Sequence, residues 1–399
     1  MRRAPDSDIL VPRGFRFASL AAGIKKNGQP DLALAEIPAG ATAAALFTTN
    51  RVAAAPVIVG REHLRGGRVR ALIVNSGNAN CANGLAGMRG CREVCAALAG
   101  ALRVPARQIF PSSTGVIGMA FPADRVIAAL PAITAALQDS PTALAGFARA
   151  IMTTDTRAKI ACARVGKENN PVTITGVAKG AGMIHPNMAT MLVYLFTDAA
   201  VAAPGLRRAL RAACATSLNS ISVDGDTSTN DTALLLASGA AGKLSHSAKR
   251  DFQRALDDVC QSLAEQIVTD GEGVQHVVRL RVTKARSGSE ARRIAQTIAT
   301  SALVKTALAG ADPNWGRILA AAGRSGIAFD PARVDIWFGK IPVCRKGVGL
   351  NFDEAAAHAC LSQPDYEITV SLGRGRASTS LLTTDLTAEY VRINADYRS

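Results

Sequence analysis

Aromatic residues are scarce in this chain: they make up 4 % of its 399 residues. That scarcity argues against a stacking platform for single-stranded nucleic acid, although a formal net charge of +15 raises the question. The arginines are scattered; Arg207, Arg208 and Arg211 lie opposite Leu206 and Leu210 on a helical spacing, so a solvated basic surface is expected and no nucleic-acid partner. None of the eight cysteines stands in a CxxC pair; reduced thiols in a cytoplasmic protein are expected, not bridges or zinc. The five histidines (His63, His185, His246, His276 and His358) lack zinc spacing, and no metal centre is expected. No stretch is long and apolar enough to span a bilayer. The start, MRRAPDSDILVPRGFRF, lacks an apolar segment, and Asp6 and Asp8 argue against a transit peptide. GxxxxGK[ST], a strand-borne GxGxxG and GxSxG are all missing, which removes the familiar phosphate-loop, dinucleotide and serine-elbow routes to a function.

What is there is a large apolar fraction, 48 %, with Ala and Gly abundant. It suffices for two compact units or one large layered domain. Short β runs alternate with helical spacings throughout, which indicates α/β layering. ALIVN (71–75) reads as a buried strand, and Leu85, Met88, Cys91, Cys95 and Leu98 follow it at helical spacing, with Cys91, Cys95 and Leu98 in line as core. SPTALAGFARAIM starts a helix with Ser140 as N-cap and Pro141 at its first position. Phe252, Leu256, Val259, Leu263 and Ile267 mark a longer helix, with Gly271 positioned to cap its end. ARRIAQTIATSALVKTAL reads as one further helix, and the tail YVRINADYRS as a short terminal segment.

The segment HPNMATMLVYLF changes character midway. Glycines and a proline make KGAGMIHPN a loop, and the apolar run from Met191 to Phe196 is a strand. Thr190 sits at the junction with only Ala189 before it. A threonine hydroxyl is a weak nucleophile until a base is held beside it. A threonine that begins a chain carries its own base, because its α-amine titrates near ~8 and lies within reach of Oγ. Cutting Ala189–Thr190 would create that amine. Oγ attacks the Ala189 carbonyl, the amide becomes an ester, and water hydrolyses the ester. The plain alternative is a threonine that merely opens a strand.

KGAGMIHPNMATMLVYLFTDA closely resembles the self-processing segment of the ornithine acetyltransferase family, the glutamate N-acetyltransferases of arginine biosynthesis. GFRFASLAAGIKKNGQPDLAL, FTTNRVAAAPV, NSGNANCANG, SSTGVIG, MTTDT, SVDGDTSTNDT, DGEG, ADPNWGRI and the terminal INADYRS resemble that family's blocks in the same order. The resemblance therefore runs the length of the chain. It implies an α/β fold, a layered α/β/β/α sandwich shared with self-processing aminopeptidases, with a smaller α/β portion in the C-terminal half. It implies cleavage between Ala189 and Thr190 into an α chain, residues 1–189, and a β chain, residues 190–399, assembled as an α2β2 heterotetramer. The implied reaction is ping-pong. N-acetylornithine acetylates Thr190 and ornithine leaves; glutamate then takes the acetyl group and departs as N-acetylglutamate.

The resemblance also implies roles for individual residues. Thr114 and Gly115 match the oxyanion-hole pair, where a plain Thr-Gly turn is the alternative. Lys179 matches a substrate-contacting lysine, against a solvated strand-end lysine. Thr153 or Thr154 in MTTDT matches another substrate contact, and the two are not separated by sequence. Glu272 matches a substrate-binding glutamate that would pair with the ornithine amine. Asn394 and Ser399 match two contacts in the tail, which would pin a segment that is ordinarily frayed. DPNWGRI and SVDGDTSTND match as well and are expected to be structural loops. No cofactor is implied. Acetyl-CoA as a second acetyl donor stays open, since some members accept it and others do not. An amidase or aminopeptidase of the same fold, with water as acceptor, is the rival enzyme reading.

Overall fold

The computed structural model describes residues 8–166, 171–185 and 191–396. Ala189, Thr190 and Ser399 lie outside these residues.

Two sheets form the centre of the first unit. One contains β1 (Arg16–Leu20), β2 (Leu32–Glu36), β4 (Ala71–Asn78) and β5 (Ile109–Val116) in that order, antiparallel except for the parallel pair β4–β5. The other is ordered β3 (Thr42–Phe47), β10 (Thr232–Ala237), β8 (Leu192–Thr197), β7 (Val172–Lys179), β6 (Lys159–Val165), and only β10–β8 is parallel. Strand side chains alternate between faces, and β8 shows what that does here. Tyr194 and Phe196 point into the cluster between the sheets with Phe15, Phe17, Val74, Phe110 and Leu234. Val193 and Leu195 point the other way, onto a helical layer. The run from Met191 to Phe196 is unbroken in its apolar character because both faces of the strand are covered. Phe17 and Phe196 meet edge to face with centroids 5.0 Å apart.

Helices complete the sandwich. α1 (Ala55–His63), α2 (Gly84–Leu102) and α3 (Ala123–Ala135) cover the first sheet through Val59, Cys91, Cys95, Leu98 and Leu130. α4 (Pro141–Ala150) begins with Ser140 as its N-cap, whose side chain accepts the Ala143 N–H, and places Phe147 between the sheets. α5 (Ala203–Thr216) and α6 (His246–Thr269) cover the second sheet. On α5, Leu206 and Leu210 are buried while Arg207, Arg208 and Arg211 are exposed. The layering is thus α/β/β/α.

A third, mixed sheet carries the smaller C-terminal portion. Its order is β14 (Val348–Gly349), β13 (Ile341–Arg345), β12 (Asp335–Phe338), β15 (Asp365–Ser371), β11 (Val277–Ala285), β16 (Ala377–Thr384), β9 (Ile221–Ser222). α7 (Gly288–Ala299), α8 (Ala302–Ala309), α9 (Trp315–Gly323) and α10 (Glu354–Leu361) share its core, and α11 (Ala388–Asp396) ends the described chain.

Three local expectations need correction. ARRIAQTIATSALVKTAL is two helices, broken at Thr300 and Ser301: Ser301 takes extended angles before α8. Thr300 turns its hydroxyl back onto the Gln296 carbonyl at 2.9 Å, the local competition that makes such residues poor in helix interiors. Asp270, not Gly271, caps α6; the left-handed backbone that glycine favours falls at Gly273, with φ +66°. DPNWGRI is a helix start, with the Asn314 side chain accepting the Arg317 N–H at 3.2 Å.

Candidate active site

One end of the two central sheets gathers most of the residues singled out by sequence. β5 ends in Thr114–Gly115–Val116, and β7 ends in Lys179. Lys179 stands opposite Leu192 at the start of β8, and Leu192 opposite Thr232 at the start of β10. Thr114, Gly115, Thr153, Thr154, Lys179, Met191, Asp231, Glu272 and Asn394 all line a cleft there, with a free volume of about 90 Å³.

Gly115 has a steric reason to be glycine. Its φ is +128°, and a Cβ at this position would lie 2.4 Å from the Gly77 carbonyl carbon on β4. Beside it, the Thr114 hydroxyl receives a hydrogen bond from Lys179 Nζ at 3.1 Å. This bond links the two sheets across the cleft. Burial pushes the Lys179 ammonium below its ordinary range, while Asp155, Asp231 and Glu272 pull it back up.

Asp155 anchors the floor. Its Oδ1 accepts the Gly180 N–H at 2.7 Å and Lys159 Nζ at 2.6 Å, and its Oδ2 accepts the Thr153 N–H at 3.0 Å. Lys159 is wholly buried and bonds Asp270 as well, at 2.6 Å. Burial alone would raise Asp155, but the Lys159 and Lys179 ammonium groups and these hydrogen bonds hold it at about 2. The turn bearing Thr153 and Thr154 is thus tied to the end of β7. Both threonines line the cleft.

Glu272 enters from the loop after α6. Its backbone N–H donates to the Ala181 carbonyl at 3.1 Å, and its carboxylate lies over Gly182, where a Cβ would be 2.3 Å from Oε2. Asn394 Nδ2 donates to the same Oε2 at 2.8 Å. Tail residues are therefore pinned: Thr387 donates to the Gly273 carbonyl at 2.7 Å, and α11 packs so closely that Gly273 leaves no room for a side chain. The chain before residue 186 is fastened too. Asp224 accepts the Met183 and Ile184 N–H groups at 2.6 and 2.9 Å, and Thr227 donates to the His185 carbonyl at 3.0 Å. Met191, on the far side of the expected cleavage point, lines the cleft.

SVDGDTSTND, expected to be a structural loop, contributes Ser228, Thr229, Asn230 and Asp231 to the cleft wall. Asn230 is nearly buried and bridges the Ala79 and Ser113 carbonyls at 2.7 and 2.8 Å, joining the loop to β5. The density of small polar residues immediately before an apolar strand was the available signal. Among the described residues, no group of three or more His, Cys, Asp or Glu side chains is placed to hold a metal ion. What the cleft offers is several hydroxyls, the Lys179 ammonium, buried carboxylates and a backbone stripped of side chains at Gly115. That inventory suits acyl chemistry on a small charged molecule.

Comparison with known proteins points the same way. The sequence matches the ArgJ family over residues 16–399. It is 46 % identical over 404 residues to the arginine biosynthesis bifunctional protein ArgJ of Methylococcus capsulatus, covering 100 % of this chain and 98 % of that protein. It is 45 % identical to the protein of the same name from Geobacter sulfurreducens over 97 % of this chain and 99 % of that one. A solved ornithine acetyltransferase from Mycobacterium tuberculosis, in complex with ornithine, is 38 % identical over 45 % of this chain and 94 % of its own, with a TM-score of 0.43.

Proposed function

The chain belongs to the ArgJ family, and on that premise we propose that it carries acetyl from N-acetylornithine to glutamate through an acyl-threonine in arginine biosynthesis. The observation that carries this reading is the convergence of Thr114, Gly115 and Lys179 with Glu272 and Asn394 around a cleft lined by Met191, the neighbour of Thr190.

Thr190 Oγ attacks the acetyl carbonyl carbon of N-acetylornithine. Its proton passes to the α-amine freed by cutting Ala189–Thr190. Thr114 and Gly115 receive the oxyanion, and the nearby Lys179 ammonium adds to its stabilisation. The C–N bond breaks, the leaving nitrogen takes the proton, and ornithine departs. The amine of glutamate then attacks the ester, N-acetylglutamate leaves, and the Thr190 hydroxyl is restored. Glu272, steadied by Asn394, pairs with the ornithine ammonium; Thr153 or Thr154 and the terminal Ser399 complete the substrate contacts. The chemistry requires no cofactor, and acetyl-CoA would enter only as a second acetyl donor. The working assembly in this reading is an α2β2 heterotetramer of residues 1–189 and 190–399 in the cytoplasm.

Intact-mass measurement with N-terminal sequencing tests it, because the cutting nucleophile is named. Wild type should give two fragments, the second beginning at Thr190, and Thr190→Ala should give a single chain. Acetyl transfer to glutamate should greatly exceed release of free acetate. Hydrolysis without transfer would favour the amidase reading, and an uncut chain that turns over would overturn the mechanism.

A further inference from the structure

The reaction outlined above leaves one buried group in the cleft without a task. Asp231 is 2 % exposed and lines the cleft at the start of β10. Its backbone is fixed, the carbonyl accepting the Thr48 N–H at 2.9 Å. Its side chain is held only in part: Ser228 donates hydrogen bonds to the carboxyl, but Oδ2 is buried and has no hydrogen-bond partner among the described residues. Such an orphaned buried oxygen is rare in folded proteins and costly to keep. No arginine or lysine forms an ion pair with it among the described residues. Lys179, whose charge acts on it, already donates to Thr114.

Its position narrows the missing partner. The Thr232 N–H donates to the Met191 carbonyl at 3.0 Å, and Thr232 is in register with Leu192 on the adjacent parallel strand. Asp231 therefore stands beside Met191, across a strand spacing of about 4.8 Å. Met191 is one peptide, about 3.8 Å between Cα atoms, from residue 190.

We propose that Asp231 is the carboxyl that receives a primary ammonium group inside the active cleft. The inference rests on the acyl-threonine reading and assigns a partner that this reading lacks. One chemistry, R–NH3+, has two sources here: the α-ammonium created by cutting before Thr190, and the amino group of an amino-acid substrate.

Burial pushes the Asp231 carboxyl well up. Hydrogen bonds from Ser228 and the charge of Lys179 only partly oppose it. Other charged groups of this region are Glu272 from the loop after α6, Asp155 from the turn after α4, Lys159 at the start of β6, bonded to Asp155, and Lys25, whose side chain feels Asp155 and Lys179. A carboxylic acid beside an amine shares a single proton with it. COOH with NH2 and COO− with NH3+ differ only in where that proton sits, and neither form buries net charge. The pair therefore keeps a neutral amine available as a base and takes up the proton when it is released.

Asp231→Asn is the decisive variant, being close in shape to the protonated acid. With the α-amine as source, wild type loses its base only when the pair takes a second proton, whereas without the carboxyl the amine is lost at its own higher value; the processed variant's acid limb in kcat/KM for N-acetylornithine therefore moves up by about one pH unit, and KM for glutamate stays within about twofold. With the substrate amine as source, KM for that substrate rises about 10- to 100-fold with the pH profile unmoved. A pH profile and both KM values unchanged within twofold overturn the proposal. If the variant does not fold or is not cut, difference infrared spectroscopy with carboxyl-labelled aspartate decides on unaltered Asp231. The protonated-carboxyl band of the Thr190→Ala chain should weaken in cleaved wild type, or in either protein on saturation with amino-acid substrate. A band absent from both proteins, or insensitive to cleavage and substrate alike, also overturns the proposal. Wild type that neither cuts itself nor transfers acetyl would instead defeat the acyl-threonine reading.

Discussion

Lys159→Met removes the one cation that two buried carboxylates share. Lys159 Nζ bonds Asp155 and Asp270 at 2.6 Å each, and its side chain is fully enclosed. Taking away one partner of a buried ion pair costs about 3 to 5 kcal/mol, because the remaining charge is left desolvated and unpaired. Asp155 also fixes the direction of the pH dependence. Its carboxyl is held at about 2 in the folded chain, below the ordinary ~3.9 of an unfolded aspartate. A depressed folded value contributes stability above the unfolded value, about 3 kcal/mol here, and that contribution is lost as pH falls through about 2. Without Lys159, burial dominates and raises Asp155. The destabilisation should then be greatest near neutrality and shrink as the medium is acidified through pH ~4, where protonation relieves the bare charge. The assay is guanidinium unfolding of the Thr190→Ala chain with and without Lys159→Met, at several pH values; that background keeps the unfolding species a single polypeptide. A loss below about 1 kcal/mol at pH 7, or one independent of pH, would refute the reasoning.

Thr114→Val deletes the hydroxyl that Lys179 reaches; kcat for acetyl transfer should fall about 100- to 1000-fold with little change in thermal midpoint. Glu272→Gln keeps the shape over Gly182 but removes the charge. KM for N-acetylornithine should rise about 10- to 100-fold in steady-state assays, the value of a hydrogen bond to a charged group. Asn314→Ala removes the side chain that caps α9 and should cost about 1 kcal/mol in denaturant unfolding while leaving transfer rates unchanged.

The layers of this protein were legible because periodicity reports burial. The Cys91, Cys95 and Leu98 stripe of α2 followed from spacing, and β8 from its unbroken apolar run, whose coverage on both faces only the fold shows. The site was legible only in part. The Thr–strand junction suggested chemistry, but resemblance to a family was needed to connect Thr114, Lys179, Glu272 and Asn394. Contacts such as Lys179 to Thr114 join residues 65 positions apart, and no local pattern encodes them. Asp231 was hidden for a related reason. Its Oδ2 is buried and unpartnered among the described residues only in the folded chain, a fact of packing and not of composition. The break before Ser301 escaped because helix spacing runs on through it; a serine and a β-branched threonine decide locally what periodicity cannot see.

If the chain is cut at Ala189–Thr190 as proposed, the strand order of the second sheet determines what becomes of the two fragments. A cut at Ala189–Thr190 assigns β3, β7 and β6 to the first piece and β8 and β10 to the second, so the order β3-β10-β8-β7-β6 encloses the second piece's strands between those of the first. Six residue pairs join β10 to β3 and six join β8 to β7, and neither seam opens without baring two sheet edges and an apolar centre. Dilution will therefore not part the fragments. They share one half-life, they cannot be shuffled between molecules after folding, and supplying one without the other yields an incomplete sheet.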